Sequence, residues 1–286
     1  MQLAWVNNGS HQAASLEGAL SEQSELERIL REELLYPHFQ PIMCLETGSL
    51  LGHEALIRGP WNSPLHSPAA LFRVAIKQGC QLELELLCRK LTLQQFARLG
   101  LEGVLFLNVT ASLLSSPDHQ RGFTRDLLHQ LGIPVENIVI ELSEQHPFDQ
   151  HGLTRAAVDH YRSMGFRIAI DDLGSGYSGL KLWSELQPEF VKIDKHFIRG
   201  LHRDPVKREF VRSISQIGRS LGCCILAEGL EDEAELHSLQ ALGVELGQGF
   251  LLGRPELHPR PLLTPEQLRP SLACRARRFL RRRWYG

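Results

Sequence analysis

Long apolar runs are missing from this 286-residue chain. No stretch approaches the roughly 18 consecutive apolar residues that a membrane-spanning helix needs, so no transmembrane segment is expected. The opening residues, Met1-Gln2-Leu3-Ala4-Trp5-Val6, carry neither the basic nor the apolar segment of a secretory leader. Charge of one sign is missing too. Lys and Arg number 31 against 33 Asp and Glu, a net charge of −2, so the whole chain gives no electrostatic argument for nucleic acid. Cysteine is sparse, at six, and none has CxxC spacing. That argues against a disulfide framework and points to a reducing, cytoplasmic setting. Cys223 and Cys224 stand side by side in an apolar run, where they are expected to be buried as small hydrophobes.

What is present is ordinary globular composition, 43% hydrophobic and 22% charged. The length would admit two average domains, but one α/β barrel routinely runs to about 250 residues. Residues 1–21 are polar and expected to be poorly ordered. Leu26, Ile29, Leu30 and Leu34 recur at helical spacing, so a leading helix is expected over 22–35. The main domain is expected to span 22–265, and 266–286 forms an Arg-rich tail. Strand candidates are His38–Cys44, Leu51–Arg58, Val104–Val109, Ile138–Leu142, Arg167–Asp171, Phe190–Ile193, Cys223–Ala227 and a piece near Gly247–Leu251. Glu46-Thr47-Gly48-Ser49 joins the first two as a hairpin, which makes that pair antiparallel. Helical patterns separate the later strands: Pro68–Lys77, Leu82–Leu99, Leu153–Met164, Val206–Leu221 and Glu231–Leu242. About eight strands alternating with helices predict a closed (β/α)8 barrel whose first strand is antiparallel to the rest, with an open doubly wound sheet as the rival.

Polar residues recur where these strands end. Glu54 lies in the second strand and Asn108 closes the third. Glu141 ends the fourth, Asp171 and Asp172 the fifth, Lys192 and Asp194 the sixth, and Glu228 the seventh; Gln248 lies at the eighth. In a barrel these ends converge on one mouth, where active sites of this architecture are built. A carboxylate in a run such as Ile138-Val139-Ile140 is costly to bury, and several in register repel one another. Hard divalent cations relieve that repulsion, and carboxylate and amide oxygens are the donors they prefer. No His or Cys joins the set, which argues against zinc. Two such cations suit phosphoryl displacement. Lys192 could then orient the nucleophile or neutralise phosphate oxygens, and Arg58 could grip a second phosphate. Taken singly, each residue has a plainer reading: Asp171-Asp172 as an Asx turn, Asn108 as a cap, Lys192 as a solvated rim residue, Glu231 as a helix-dipole partner. The Gly174-Ser175-Gly176 loop lacks Rossmann and P-loop spacing. His53 should face away from Glu54 by strand alternation.

His53-Glu54-Ala55-Leu56-Ile57-Arg58 resembles the signature of the EAL domain, the bacterial cyclic di-GMP phosphodiesterases. The likeness runs in order from Phe39-Gln40-Pro41-Ile42 through Leu107-Asn108-Val109, Glu141-Leu142-Ser143-Glu144, Asp171-Asp172-Leu173-Gly174-Ser175-Gly176, Lys192-Ile193-Asp194 and Ala227-Glu228-Gly229-Leu230-Glu231 to Gln248-Gly249-Phe250 and Arg254-Pro255. It implies hydrolysis of cyclic di-GMP to linear pGpG with two Mg2+ or Mn2+ ions per site. Metal ligands or their water network would be Glu54, Asn108, Glu141, Asp171, Asp172, Glu228 and Gln248. Catalysis would rest on Glu54, Lys192 and Glu228. Substrate contacts would be Gln40, Glu54, Leu56, Arg58, Asp194 and Glu231. Glu144 would hold the loop that includes Gly174, Ser175 and Gly176, which in this family links dimerisation to metal binding. Leu173, Ser175 and Gly179 depart from the family's usual residues in that loop, and Gly59 replaces the usual aromatic. A homodimer is implied by the same likeness.

Two rival readings remain. One is a weak or inactive EAL-type module that binds cyclic di-GMP or a protein partner. The other is an unrelated metal-dependent barrel acting on a small carbon acid. No Gly-Gly-Asp-Glu-Phe cyclase motif is present, and the length leaves no separate sensor domain, so an external regulatory protein, self-association or the two ends of the chain are the expected controls. The six arginines of the tail, Arg275, Arg277, Arg278, Arg281, Arg282 and Arg283, read first as a solvated terminus and second as a contact for an anionic surface.

Overall fold

The structure, a computed structural model, describes residues 21–110, 123–143, 155–174 and 179–259. Eight strands close a barrel in sequence order. They are β1 (Tyr36–Cys44), β2 (Leu50–Arg58), β3 (Val104–Asn108), β4 (Ile138–Ser143), β5 (Arg167–Leu173), β6 (Phe190–Ile193), β7 (Cys224–Ala227) and β8 (Leu246–Gly247). β1 runs antiparallel to β8, whereas β2 to β8 pair in parallel with their neighbours. The chain therefore forms the expected barrel with a reversed first strand. An open doubly wound sheet is excluded, because β8 returns to β1.

The described helices are α1 (21–31), α2 (Pro68–Gln78), α3 (Gln81–Arg98), α4 (Phe123–Leu131), α5 (Arg155–Ser163), α6 (Gly179–Leu186), α7 (Lys195–Ile198), α8 (Pro205–Leu221) and α9 (Glu233–Leu242). Their ends follow local chemistry. Ser67 caps α2 by accepting from the Ala70 amide, and Pro68 starts the helix where a missing N–H costs nothing. Asp204 and Pro205 repeat the device on α8. Asp232 and Glu235 form a reciprocal capping box on α9.

Several boundaries differ from the sequence expectation, and local hydrogen bonds account for three of them. The leading helix stops at 31 because Leu34 N bonds back to Ile29 O and Glu33 takes φ 54°. The last strand covers only Leu246–Gly247, since Leu252 N and Gly253 N both fold back onto Gly249 O. The helix expected from Glu231 begins at Glu233, with Asp232 as its cap. α4, α6 and α7 have 9, 8 and 4 residues, too short for their apolar period to stand out.

The chain divides into two compact units. Residues up to Pro37 with Leu56–Gln95 make one, and His38–Ala55 with Phe96 onward make the other. The first has its own core of Leu26, Ile29, Leu65, Leu71, Val74 and Leu84. The second is built around the barrel interior, where Ile42, Phe106, Val139, Ala169, Phe190 and Leu226 meet. Phe106 and Phe190 pack edge to face there at 5.1 Å. Each large side chain so buried contributes roughly 1.5–3 kcal/mol by leaving water. Among the described residues, no helix is long and apolar enough to cross a membrane.

Candidate metal centre

Strand alternation explains where the polar residues go. Phe106, Val139, Phe190, Leu226 and Leu246 lie in the barrel core. Two positions further on come Asn108, Glu141, Lys192, Glu228 and Gln248, which the pleat carries to the same side. β1 runs the other way, and there Gln40 precedes core residue Ile42 by two. A polar layer thus lies directly above an apolar one, at the C-terminal ends of the parallel strands.

Lys192 is the hub of that layer. It is fully buried, and its Nζ lies 2.8 Å from Glu141 Oε1, 2.8 Å from Glu228 Oε1, 3.0 Å from Asp171 Oδ1 and 3.3 Å from Glu54 Oε2. Burial alone would lower the ammonium pKa, but the carboxylates of Asp171, Glu141, Glu228 and Glu54 outweigh it and hold it well above the ordinary value. Gln248 Nε2 donates to Glu54 Oε2 at 2.7 Å and to Gln40 Oε1 at 3.1 Å. Asn108 Nδ2 donates to Glu54 Oε1 at 3.2 Å. Gln40 Nε2 donates in turn to Gly253 O at 3.0 Å.

The carboxylates are therefore not equivalent. Burial pushes Glu54 up, yet Lys192 and the two amides more than offset it and hold its pKa below the ordinary value. Glu141 is driven well above the usual range by burial, with the Glu54 charge adding to it. Glu228 is pushed up to about 8 by burial, against the pull of Lys192. Asp172 is raised to about 6 by burial and by the Asp171 charge beside it.

Asp171 and Asp172 are neighbours that regular alternation would point to opposite faces. The register of β5 against β6 shifts between Ile170 and Leu173, and Asp172 takes φ 59° while its N–H donates to Asp171 Oδ1. This bulge turns both carboxylates to the same site. One oxygen each from Glu54, Glu141 and Asp171 lie within 4.8 Å of one another, as do oxygens from Asp171, Asp172 and Glu228. Asp171 is common to both groups.

Five carboxylates around one ammonium leave an excess of negative charge. Among the described residues, the buried atoms Glu141 Oε2 and Gln248 Oε1 accept no hydrogen bond. Orphaned oxygens, excess negative charge and an all-oxygen donor set fit hard divalent cations. A third group, His202, Asp232 and Glu235, is also close enough to chelate. There, however, both Glu235 oxygens accept from the backbone amides of Gly200, Glu231 and Asp232, and Asp232 Oδ1 accepts from Glu235 N. Asp232 and Glu235 of that group are the cap of α9.

The remaining expected residues fall elsewhere. Asp194 caps α7 by accepting from His196 N at 2.7 Å and raises Asp172 only through its charge. Glu231 is paired with Arg199. Leu56 and Arg58 belong to the first compact unit, where Arg58 Nη1 donates to Ile57 O at 2.7 Å. Gly174 takes φ 101° and leaves no room for a Cβ against the Phe197 ring. Glu144, Ser175 and Gly176 lie outside the described residues, as do the N-terminal segment 1–20 and the tail. His53 does face away from the site, buried beside Phe39 and Phe96, which lowers its pKa to about 4.

A closed eight-stranded barrel with a reversed first strand and an acidic, oxygen-lined mouth defines the class of protein. The EAL domain model matches residues 23–255, and the chain belongs to that family. The bifunctional diguanylate cyclase/cyclic di-GMP phosphodiesterase MucR of Pseudomonas aeruginosa is 31% identical over 276 residues, covering 91% of this chain and 38% of MucR. Among solved structures, the cyclic di-GMP-bound form of a standalone versatile EAL protein from Vibrio cholerae is 32% identical, with a TM-score of 0.69 over 82% of this chain and 97% of that one. A manganese and cyclic di-GMP complex of Klebsiella pneumoniae BlrP1 is 30% identical, with a TM-score of 0.70 over 78% of this chain and 56% of that one. The chain spans about two fifths of the length of the curated relatives it matches.

Proposed function

We propose that this chain hydrolyses cyclic di-GMP to linear pGpG with the help of two divalent cations, Mg2+ or Mn2+. The observation that carries the reading is the fully buried Lys192 ammonium held among four carboxylates, beside two buried oxygens that accept no hydrogen bond among the described residues. Glu54, Asn108, Glu141 and Asp171 would hold one cation; Asp171, Asp172 and Glu228 would hold the other, with Gln248 beside them. Such cations make water a nucleophile near neutral pH and stabilise the attacking and leaving oxygens of a phosphodiester.

The chain's own groups have distinct tasks in this reading. Gln248 and Asn108 keep Glu54 ionised and fixed in orientation. Lys192 offsets negative charge as a phosphate enters and is within reach of a nucleophile held between the carboxylates. Glu228, ionised once cations lie beside it, would accept a proton from that nucleophile. Gln40, Leu56, Arg58, Asp194 and Glu231 would contact the substrate, by family likeness. A homodimer, and control by an external protein through the loop after Asp172, belong to the same proposal.

The test is turnover of cyclic di-GMP by the purified chain with Mn2+ or Mg2+, read as pGpG by chromatography. Wild type should form pGpG, and Glu54→Ala should form none above background. Near wild-type turnover in Glu54→Ala would overturn the site assignment. Tight nucleotide binding without product would favour the alternative, a binding module.

A further inference from the structure

The loop after β8 is fixed on both sides. Leu230 N donates to Gln248 O at 3.0 Å and Leu251 N donates to Leu230 O at 3.1 Å, so the loop is stitched to the segment that follows Glu228. The approach is close enough that a Cβ on Gly249 would lie 2.1 Å from Leu230 O. At the loop's other end, Gly253 O accepts from Gln40, the residue that also accepts from Gln248. Gln40 thereby links both ends of this loop to the polar layer.

Between those anchors the chain exposes what a folded protein usually hides. Phe250 keeps 49% of its surface open, and the Arg254 guanidinium stands 4.2 Å from its ring centroid. Arg254 is exposed and has no ion pair among the described residues. A cation on one face of an aromatic ring draws electron density toward it and makes the free face a better platform for an electron-rich base. The pair is therefore an arginine-backed stacking surface, two residues beyond Gln248 in the loop that leaves β8.

We propose that Phe250, backed by Arg254, stacks against a purine base of the substrate and so helps select a nucleotide diester over other phosphodiesters. This rests on the proposed reading of the site as a cyclic di-GMP phosphodiesterase. It adds a substrate contact from the β8 loop.

The test compares Phe250→Ala, Phe250→Leu, Phe250→Tyr and Arg254→Ala in the full chain, with kcat and KM for cyclic di-GMP measured in Mn2+. Loss of stacking should raise KM about tenfold in Phe250→Ala and Phe250→Leu and leave kcat within about twofold, whereas Phe250→Tyr should restore the wild-type KM. Arg254→Ala should raise KM by a smaller factor. An unchanged KM in Phe250→Ala overturns the proposal, as does a Leu variant as good as Tyr, which would make the residue a hydrophobic filler. If wild type shows no turnover, the phosphodiesterase reading fails, and calorimetric Kd for cyclic di-GMP decides the stacking contact alone. A Kd about tenfold weaker in Phe250→Ala supports it; an equal Kd, or no binding by wild type, overturns it.

Discussion

Lys192 and Glu141 face each other inside the barrel, Nζ to Oε1 at 2.8 Å, with both side chains essentially sealed from water. Neither would be stable there alone, because an unpaired buried charge costs several kcal/mol. Their pairing holds only as part of the wider cluster in which three more carboxylates share the same ammonium.

Replacing Lys192 by Met should therefore cost about 3–5 kcal/mol of stability in chelator. The loss should shrink when Mn2+ is added, because cations then supply the missing positive charge. Chemical denaturation of both proteins, with and without metal, measures this directly. Turnover in Mn2+ should fall at least a hundredfold.

The raised carboxyls set a pH dependence with a definite sign. Glu228 moves from 4.5 to about 8, and Asp172 from 3.8 to about 6. The folded chain holds these protons more tightly than the unfolded one, so their stabilisation is complete below about pH 4 and lost as pH rises toward 8. In chelator, the melting temperature should fall across that window. Saturating Mg2+ or Mn2+ should reverse the trend at the alkaline end, since cations replace the protons. Thermal melts at several pH values would refute this if the slope were the same with and without metal.

Asp172 combines a positive φ with like charge beside it. Asn tolerates that conformation and carries no charge. Asp172→Asn should raise the melting temperature of the metal-free chain by a few degrees and weaken cation binding. Calorimetric titration should then report one strong cation where wild type binds two.

Gln248 acts on the site through Glu54, and its own Oε1 accepts no hydrogen bond among the described residues. Gln248→Leu keeps the volume and removes both functions. Apparent Mn2+ affinity should drop about 10- to 100-fold, the usual effect of losing a group that orients a ligand. A titration indistinguishable from wild type would remove Gln248 from the centre.

Burial pushes the Cys88 and Cys224 thiols up to about 12. At pH 8 only about one in ten thousand of each is thiolate, the reactive form. Iodoacetamide should leave both unmodified in the folded chain and label both after denaturation, as peptide mapping would show.

Much of this was legible in the sequence because one rule, alternation along strands, governs both fold and site. Ile138-Val139-Ile140-Glu141 announces a buried strand that ends in a charge, and the structure puts that charge where the apolar layer stops. The β5 bulge was not legible, since nothing in Asp171-Asp172-Leu173 marks the register shift that brings both acids to one side. Asp194 and Glu231 look like members of the same set, yet in the chain's own structure their carboxylates serve a helix cap and a pair with Arg199. Short helices such as α6 and α7 escaped because tertiary packing, not periodicity, holds so few residues helical. The link from Gln40 to Gln248 spans 208 residues, and no local pattern reveals a contact at that separation.

The polar layer draws one residue or pair from each of the eight strands or from the position just after it: Gln40, Glu54, Asn108, Glu141, the two aspartates, Lys192, Glu228 and Gln248. No half of the barrel therefore contains a usable fraction of it. A nascent chain has no partial chemistry while it is being made, and a fragment lacking either end strand should lose the reaction entirely. The ring of residues is complete only where β8 meets β1, so that closure is also what completes the centre.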